Sequence, residues 1–169
     1  MTTKPTDPTD AEIEALLAAI PAEEWSGLWD AVDRLVEVSG AEGGLVHWAG
    51  GEQVGTTMVR GVETPVYQVH YAVHSNALNH VVRRLYELRL VTSLNWPEWD
   101  GIERYRQGRG VDRAPVADAV RLITAVIRSD RFSEGAIVAA VEDGTLPAAL
   151  RRLRDWYRSR PTPRPSGDP

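Results

Sequence analysis

Apolar residues recur every three or four positions over most of the chain and every second position over one short stretch, so the sequence divides into a helical texture and a smaller extended one. Thr9 and Glu12 have the S/T-x-x-E spacing in which a hydroxyl and a carboxylate satisfy the orphan backbone donors at a helix start, and the helix they open is expected to run to Ile20. Pro21 suits the first turn of a second helix, in which Trp25, Leu28, Trp29, Val32, Leu35 and Val36 make one apolar face and Ser39-Gly40 the end. From Gly43 the texture changes to glycine and β-branched residues. "LVHW", "TTMVR" and the alternating "PVYQVHYAV" predict a small antiparallel meander between about Leu45 and Val73, with Tyr67, Val69, Tyr71 and Val73 on one face.

Helical spacing then resumes. Ser75 is placed to cap a helix with Leu78, Val81, Val82, Leu85 and Leu88 as its stripe, and Asn95 to cap a short Trp96-Pro97-Glu98 helix with Trp99 and Ile102 inward. A longer helix follows from about Ala114, and two more occupy "RSDRFSEGAIVAAVEDGTLPAALRRLRDW", residues 128–156. The predicted class is therefore α+β, a mainly helical single domain of residues 9–159 carrying a small antiparallel β meander. Residues 1–8 read as a disordered lead and residues 160–169, with four prolines, as a disordered Pro-rich tail.

Composition narrows the functional classes. At 169 residues the chain can bury roughly 70% of its unfolded surface, so no disulfide or metal staple is required. The absence of cysteine excludes a thiol nucleophile and any thiolate-held metal centre. No apolar run reaches membrane-spanning length and no signal-peptide order is present, which predicts a cytoplasmic protein with no membrane partner. Charge is uneven: residues 1–52 hold eleven acids against two bases, whereas the remainder holds thirteen acids against seventeen bases. The plain consequence is that the two halves attract when they pack.

Standard catalytic signatures are absent: no phosphate-binding glycine loop, no dinucleotide fingerprint, no H-E-x-x-H helix and no nucleophile elbow. His70, His74 and His80 bridge a strand end and a helix, a spacing that does not converge on one ion, so neither a metal nor another cofactor is expected. Trp48, Tyr71, Trp96 and Trp99 can line a pocket or anchor a partner, although in a chain with one phenylalanine they can equally be core. Arg131 and Glu134, three apart in "DRFSEG", can pair with each other or face a ligand. Together with His74 these residues make the candidate binding set for an unidentified small molecule or protein partner. An enzyme using His74 and Glu134 as acid and base on a small polar substrate is the first alternative. Nucleic-acid binding through Arg151, Arg152 and Arg154 of the last helix is the second. The sequence pI of about 5.4 and the apolar Leu150, Leu153 and Trp156 on the same helix speak against that second alternative.

The segments "VHYAVHSNALNHVVRRLYELRLVTSLNWPEW" and "IRSDRFSEGAIVAAVEDGTLPAALRRL" resemble the bacterial family called domain of unknown function 6508. The resemblance rests on Tyr71, Leu85-Tyr86-Glu87, the Trp96 and Trp99 pair, Asp130-Arg131-Phe132 with Glu134-Gly135, and Arg151-Arg152-Leu153, with "HWAGG" at Trp48 to Gly51 beside them. His74 and Ser133 stand where that pattern often has tyrosine and cysteine, so no thiol-dependent role carries over. The resemblance covers about residues 25–155 and implies no particular activity.

Overall fold

A computed structural model describes residues 7–39 and 44–160. Among these are seven α-helices, α1 (Asp10–Ala19), α2 (Ala22–Ser39), α3 (Asn76–Glu87), α4 (Gly101–Arg104), α5 (Val116–Ser129), α6 (Ala136–Glu142) and α7 (Thr145–Ser159). Four strands, β1 (Val46–Ala49), β2 (Gln53–Val59), β3 (Val62–Tyr67) and β4 (Tyr71–His74), complete the mainly helical α+β class. Local chemistry sets the helix starts as expected. Thr9 and Glu12 form the reciprocal box at α1, and Ser75 Oγ accepts from Leu78 N at 3.2 Å to start α3. Asn95 acts differently: the Trp96–Glu98 segment is a 3-10 turn without a side-chain cap, and the Asn95 amide instead donates to Asp7 Oδ1 at 2.7 Å.

Helix α5 runs through the centre of the body. Nine of its side chains are buried, among them Val120, Ile123 and Ile127, while α1, α4, α6 and α7 pack around it. Its one fully buried polar residue, Thr124, donates to Val120 O at 2.9 Å and accepts from Thr92 N at 3.1 Å, which pins the segment after α3 to this helix. Helices α2 and α7 meet through aromatic rings: Trp25 is fully buried, stacks on Trp29 at 5.4 Å and lies 5.2 Å from Tyr157. Val36, assigned to the apolar face of α2 by spacing, is 64% exposed, while Leu35 beside it is buried and Val38 packs on the core.

The uneven charge has a structural counterpart. Arg84 binds Glu24 at 2.7 Å, Arg121 binds Asp10 at 2.7 Å and Arg154 binds Asp33 at 2.8 Å, so acids of the first two helices meet arginines of the later ones. Each arginine also donates to a main-chain carbonyl, at Glu24, Pro8 and Trp29 respectively, which fixes helix placement more tightly than an exposed ion pair alone. Arg160 donates to Leu17 O and Ala18 O at the end of α1. Asp7, Pro8 and Arg160, assigned to lead and tail, thus touch the body, and the rest of those two segments lies outside the described residues.

The strands depart from a consecutive meander. β1 pairs with β4 and β2 with β3, both antiparallel, in a nested order. Gly51 N donates to Gln68 O and Gln68 N to Glu52 O, each at 2.8 Å, so the two short ladders join into one bent two-stranded ribbon. The alternation across "PVYQVHYAV" breaks at residues 68–70, opposite Gly50 and Gly51. Both glycines have positive φ, and a Cβ on Gly50 would strike the Val69 carbonyl, one on Gly51 the His70 imidazole.

Candidate functional site

The ribbon has a base that touches the helices and an arm whose residues are almost all exposed. At the base, Leu45 is buried and its carbonyl accepts from Ser75 N at 2.8 Å, tying the ribbon to the start of α3. The pairs Val46–His74 and Trp48–Ala72 share one face, and His47–Val73 and Ala49–Tyr71 share the other. The first face meets the 130–135 loop. Trp48 lies over Gly135, whose added Cβ would sit 3.6 Å from its ring, and His74 Nε2, buried, reaches Asp130 Oδ2 at 3.7 Å. That separation exceeds hydrogen-bond length, so the two side chains lie close without a hydrogen bond.

Asp130 does a second job. Its Oδ1 accepts from Ile137 N at 3.2 Å and so caps α6, whose own N-cap residue is a glycine with no side chain to offer. Ser129 O accepts from both Phe132 N and Ser133 N at 2.9 Å, closing the loop into a tight turn that points Phe132 outward, 80% exposed. The Phe132 ring sits 6.1 Å from Trp96. The "DRFSEG" segment is therefore a knuckle that joins α5, α6, the ribbon base and the Trp96 turn.

Of the seven candidate residues, the structure brings three to this knuckle: Trp48, His74 and Trp96. Tyr71 lies on the opposite ribbon face, 41% exposed. Trp99 packs on the core, against Gly101 and 6.4 Å from Tyr105. The side chains of Arg131 and Glu134 are both exposed and form no hydrogen bond or ion pair among the described residues, so they do not pair with each other. Of the C-terminal arginines, Arg152 donates to Ala114 O at 2.8 Å, and Arg154 is held by Trp29 O and Asp33 with its guanidinium 4.9 Å over the Trp29 ring. Arg151 remains exposed without such a bond among the described residues, as does Arg158.

Sequence reasoning placed strands here but did not foresee that they stand exposed. Strands β2 and β3 form a hairpin closed by Arg60 and Gly61, both at positive φ, the geometry of a two-residue type I′ turn. Every residue of β2 is exposed, and in β3 only Thr64 is partly covered. One arm face carries Gly55, Thr57, Val59, Val62, Thr64 and Val66 and no charge. The other carries Gln53, Thr56, Met58, Glu63, Pro65 and Tyr67, with Thr56 Oγ1 donating to Glu63 Oε1 at 2.8 Å. Met58, Val62 and Tyr67 are 65%, 66% and 58% exposed, far from the fate of comparable residues in the helices.

A separate cavity of about 580 Å³ opens between α2, α6 and α7 beside Leu45, with Leu35, Val36, Val141 and Leu150 among its walls and Arg151 at its rim. None of the seven candidate residues lines it. No helix of the described residues is long and apolar enough to cross a membrane.

No curated protein and no solved structure matches the chain. One family model does, over residues 20–159, a span that takes in both the ribbon and the knuckle that holds it. The chain belongs to the family of unknown function DUF6508.

Proposed function

We propose that this protein is a protein-interaction module whose contact surface is the β arm, residues 53–67. The observation that carries the reading is the exposure of every β2 residue in a two-stranded ribbon rich in valine and threonine. A two-stranded ribbon without a third strand or a covering helix is marginally stable in water, and a contiguous uncharged β-branched face marks a surface that another polypeptide covers. The base supports the same reading, since Leu45 and the Trp48–Gly135 and His74–Asp130 contacts anchor the arm at one end only. Enzymatic use of His74 and Glu134 finds little support: the imidazole Nε2 is buried beside Asp130 while Glu134 is exposed. Nucleic-acid binding is likewise weakened by the engagement of Arg152 and Arg154 with the body.

A photo-crosslinking amino acid in place of Met58 tests the reading in the intact chain in cells, with the same group at the exposed Asp112 as control. A discrete polypeptide adduct specific to position 58 is expected, and equal labelling at both positions or none at either overturns it. A second reading, that the cavity beside Leu45 holds a small apolar molecule, is favoured only by its size and walls, which suit such ligands. Thermal-shift screening with Leu150→Trp as the filled-cavity control tests that one.

A further inference from the structure

Helices α2 and α7 are joined at one end and part towards the other. At the joined end Trp25 lies 6.2 Å from Trp156 and 5.2 Å from Tyr157, and Arg154 bonds Asp33 at 2.8 Å. Later on α2 and earlier on α7, Leu35, Val36, Pro147 and Leu150 are walls of the cavity of about 580 Å³. Leu35 and Leu150 are buried, whereas Val36 is an apolar wall residue that the chain itself leaves 64% exposed. The volume lies in the range of small-molecule sites, and the apolar walls suit an aliphatic body.

Four charged side chains line the same cavity, and their charges cancel: Asp33 and Glu142 against Arg151 and Arg154. Asp33 and Arg154 satisfy each other. The side chains of Glu142 and Arg151 are both exposed, and among the described residues neither pairs with the other or with any further group. An apolar cavity is thus bordered by an unengaged carboxylate on α6 and an unengaged guanidinium on α7. A purely anionic ligand would gain Arg151 and be repelled by Glu142, and a purely cationic one the reverse. An uncharged head would leave both unmatched, whereas a head carrying both signs is matched by the two and adds no net charge.

We infer that this cavity binds an aliphatic α-amino acid, its alkyl chain between α2 and α7, its carboxylate on Arg151 and its ammonium on Glu142. The inference rests on the cavity being a ligand site and names the chemistry of the ligand. Isothermal titration calorimetry of the full chain with α-aminooctanoate, octanoate and heptylamine tests it, since the latter two are the first molecule without its ammonium or without its carboxylate. The amino acid is expected to bind about fivefold tighter than either. Lengthening it to α-aminodecanoate adds two methylenes and about tenfold in affinity. Arg151→Gln lowers α-aminooctanoate to the level of heptylamine and Glu142→Gln to that of octanoate, and neither change removes a bond of the fold among the described residues. Val36→Asn, at an exposed wall position, weakens all three probes. Octanoate or heptylamine binding as tightly as the amino acid, or an amino-acid affinity unmoved by both charge variants, overturns the inference; the cavity reading then stands where Val36→Asn still weakens binding. No binding of any probe at millimolar concentration also overturns the inference, and the thermal-shift screen then decides the cavity reading by itself.

Discussion

Helix α5 buries nine of its fourteen side chains, whereas β2 buries none of its seven, although both are rich in β-branched and small apolar residues. In α5 these residues are surrounded by four other helices, and removing them would leave cavities. In the arm the same residue types pair across the hairpin and are otherwise left exposed, with Thr64 alone partly covered. Apolar character therefore serves two purposes here, cohesion in the body and contact in the arm, and the junction at Trp48, His74 and the 130–135 loop separates them.

The contrast can be broken most forcefully from the body side. Trp25→Ala, at the ring cluster between α2 and α7, is expected to cost about 3–5 kcal/mol in chemical denaturation. A loss below 1 kcal/mol would mean that the cluster does not hold these helices together. Asp130→Ala acts at the junction, removing the α6 cap and the charge beside His74, and should cost about 1–2 kcal/mol. Its diagnostic signature is faster amide exchange at Ile137 than at the middle of α5.

A third effect appears only in alkaline solution. Burial, followed by the hydrogen bond to Asp118, raises the Tyr105 phenol above its ordinary value near 10. A raised folded-state value means that the folded chain holds its proton more tightly than the unfolded one. Stability from this group is complete below about pH 10 and falls as pH rises towards and through the raised value. Tyr105→Phe should flatten that alkaline decline in urea unfolding series, and an unchanged decline would assign it to other groups. The smallest effect belongs to the arm: Val59→Thr with Val62→Thr should change the stability of dilute protein by less than about 0.5 kcal/mol.

The body was largely legible in the sequence because its signals are local. The Thr9–Glu12 box, the Ser75 cap and the Leu78, Val81, Leu85 stripe each depend on residues within a few positions of one another. The "DRFSEG" knuckle drew attention for Arg131 and Glu134, yet the residue that acts there is Asp130, through Ile137 N seven positions away and His74 on another element. Arg152 and Arg154 read as a basic surface because their acceptors, Ala114 O, Trp29 O and Asp33, are remote in sequence. The arm was misread for a different reason. Period-two alternation tells which side chains share a face and is silent on whether anything covers that face, so Met58, Val62 and Tyr67 looked like residues of a packed meander. Only Pro65 and the Arg60-Gly61 turn hinted at an exposed ribbon with one blocked edge.

Amide hydrogen exchange of the full chain at low and high concentration tests most directly the claim that the arm is a contact surface held by its partner. The α5 amides are expected to be strongly protected at both concentrations, and Thr56 and Met58, whose backbone faces outward from the hairpin, to exchange freely when dilute. Strong protection of Thr56 and Met58 in dilute protein would contradict that claim, as would free exchange at both concentrations together with no polypeptide adduct at position 58.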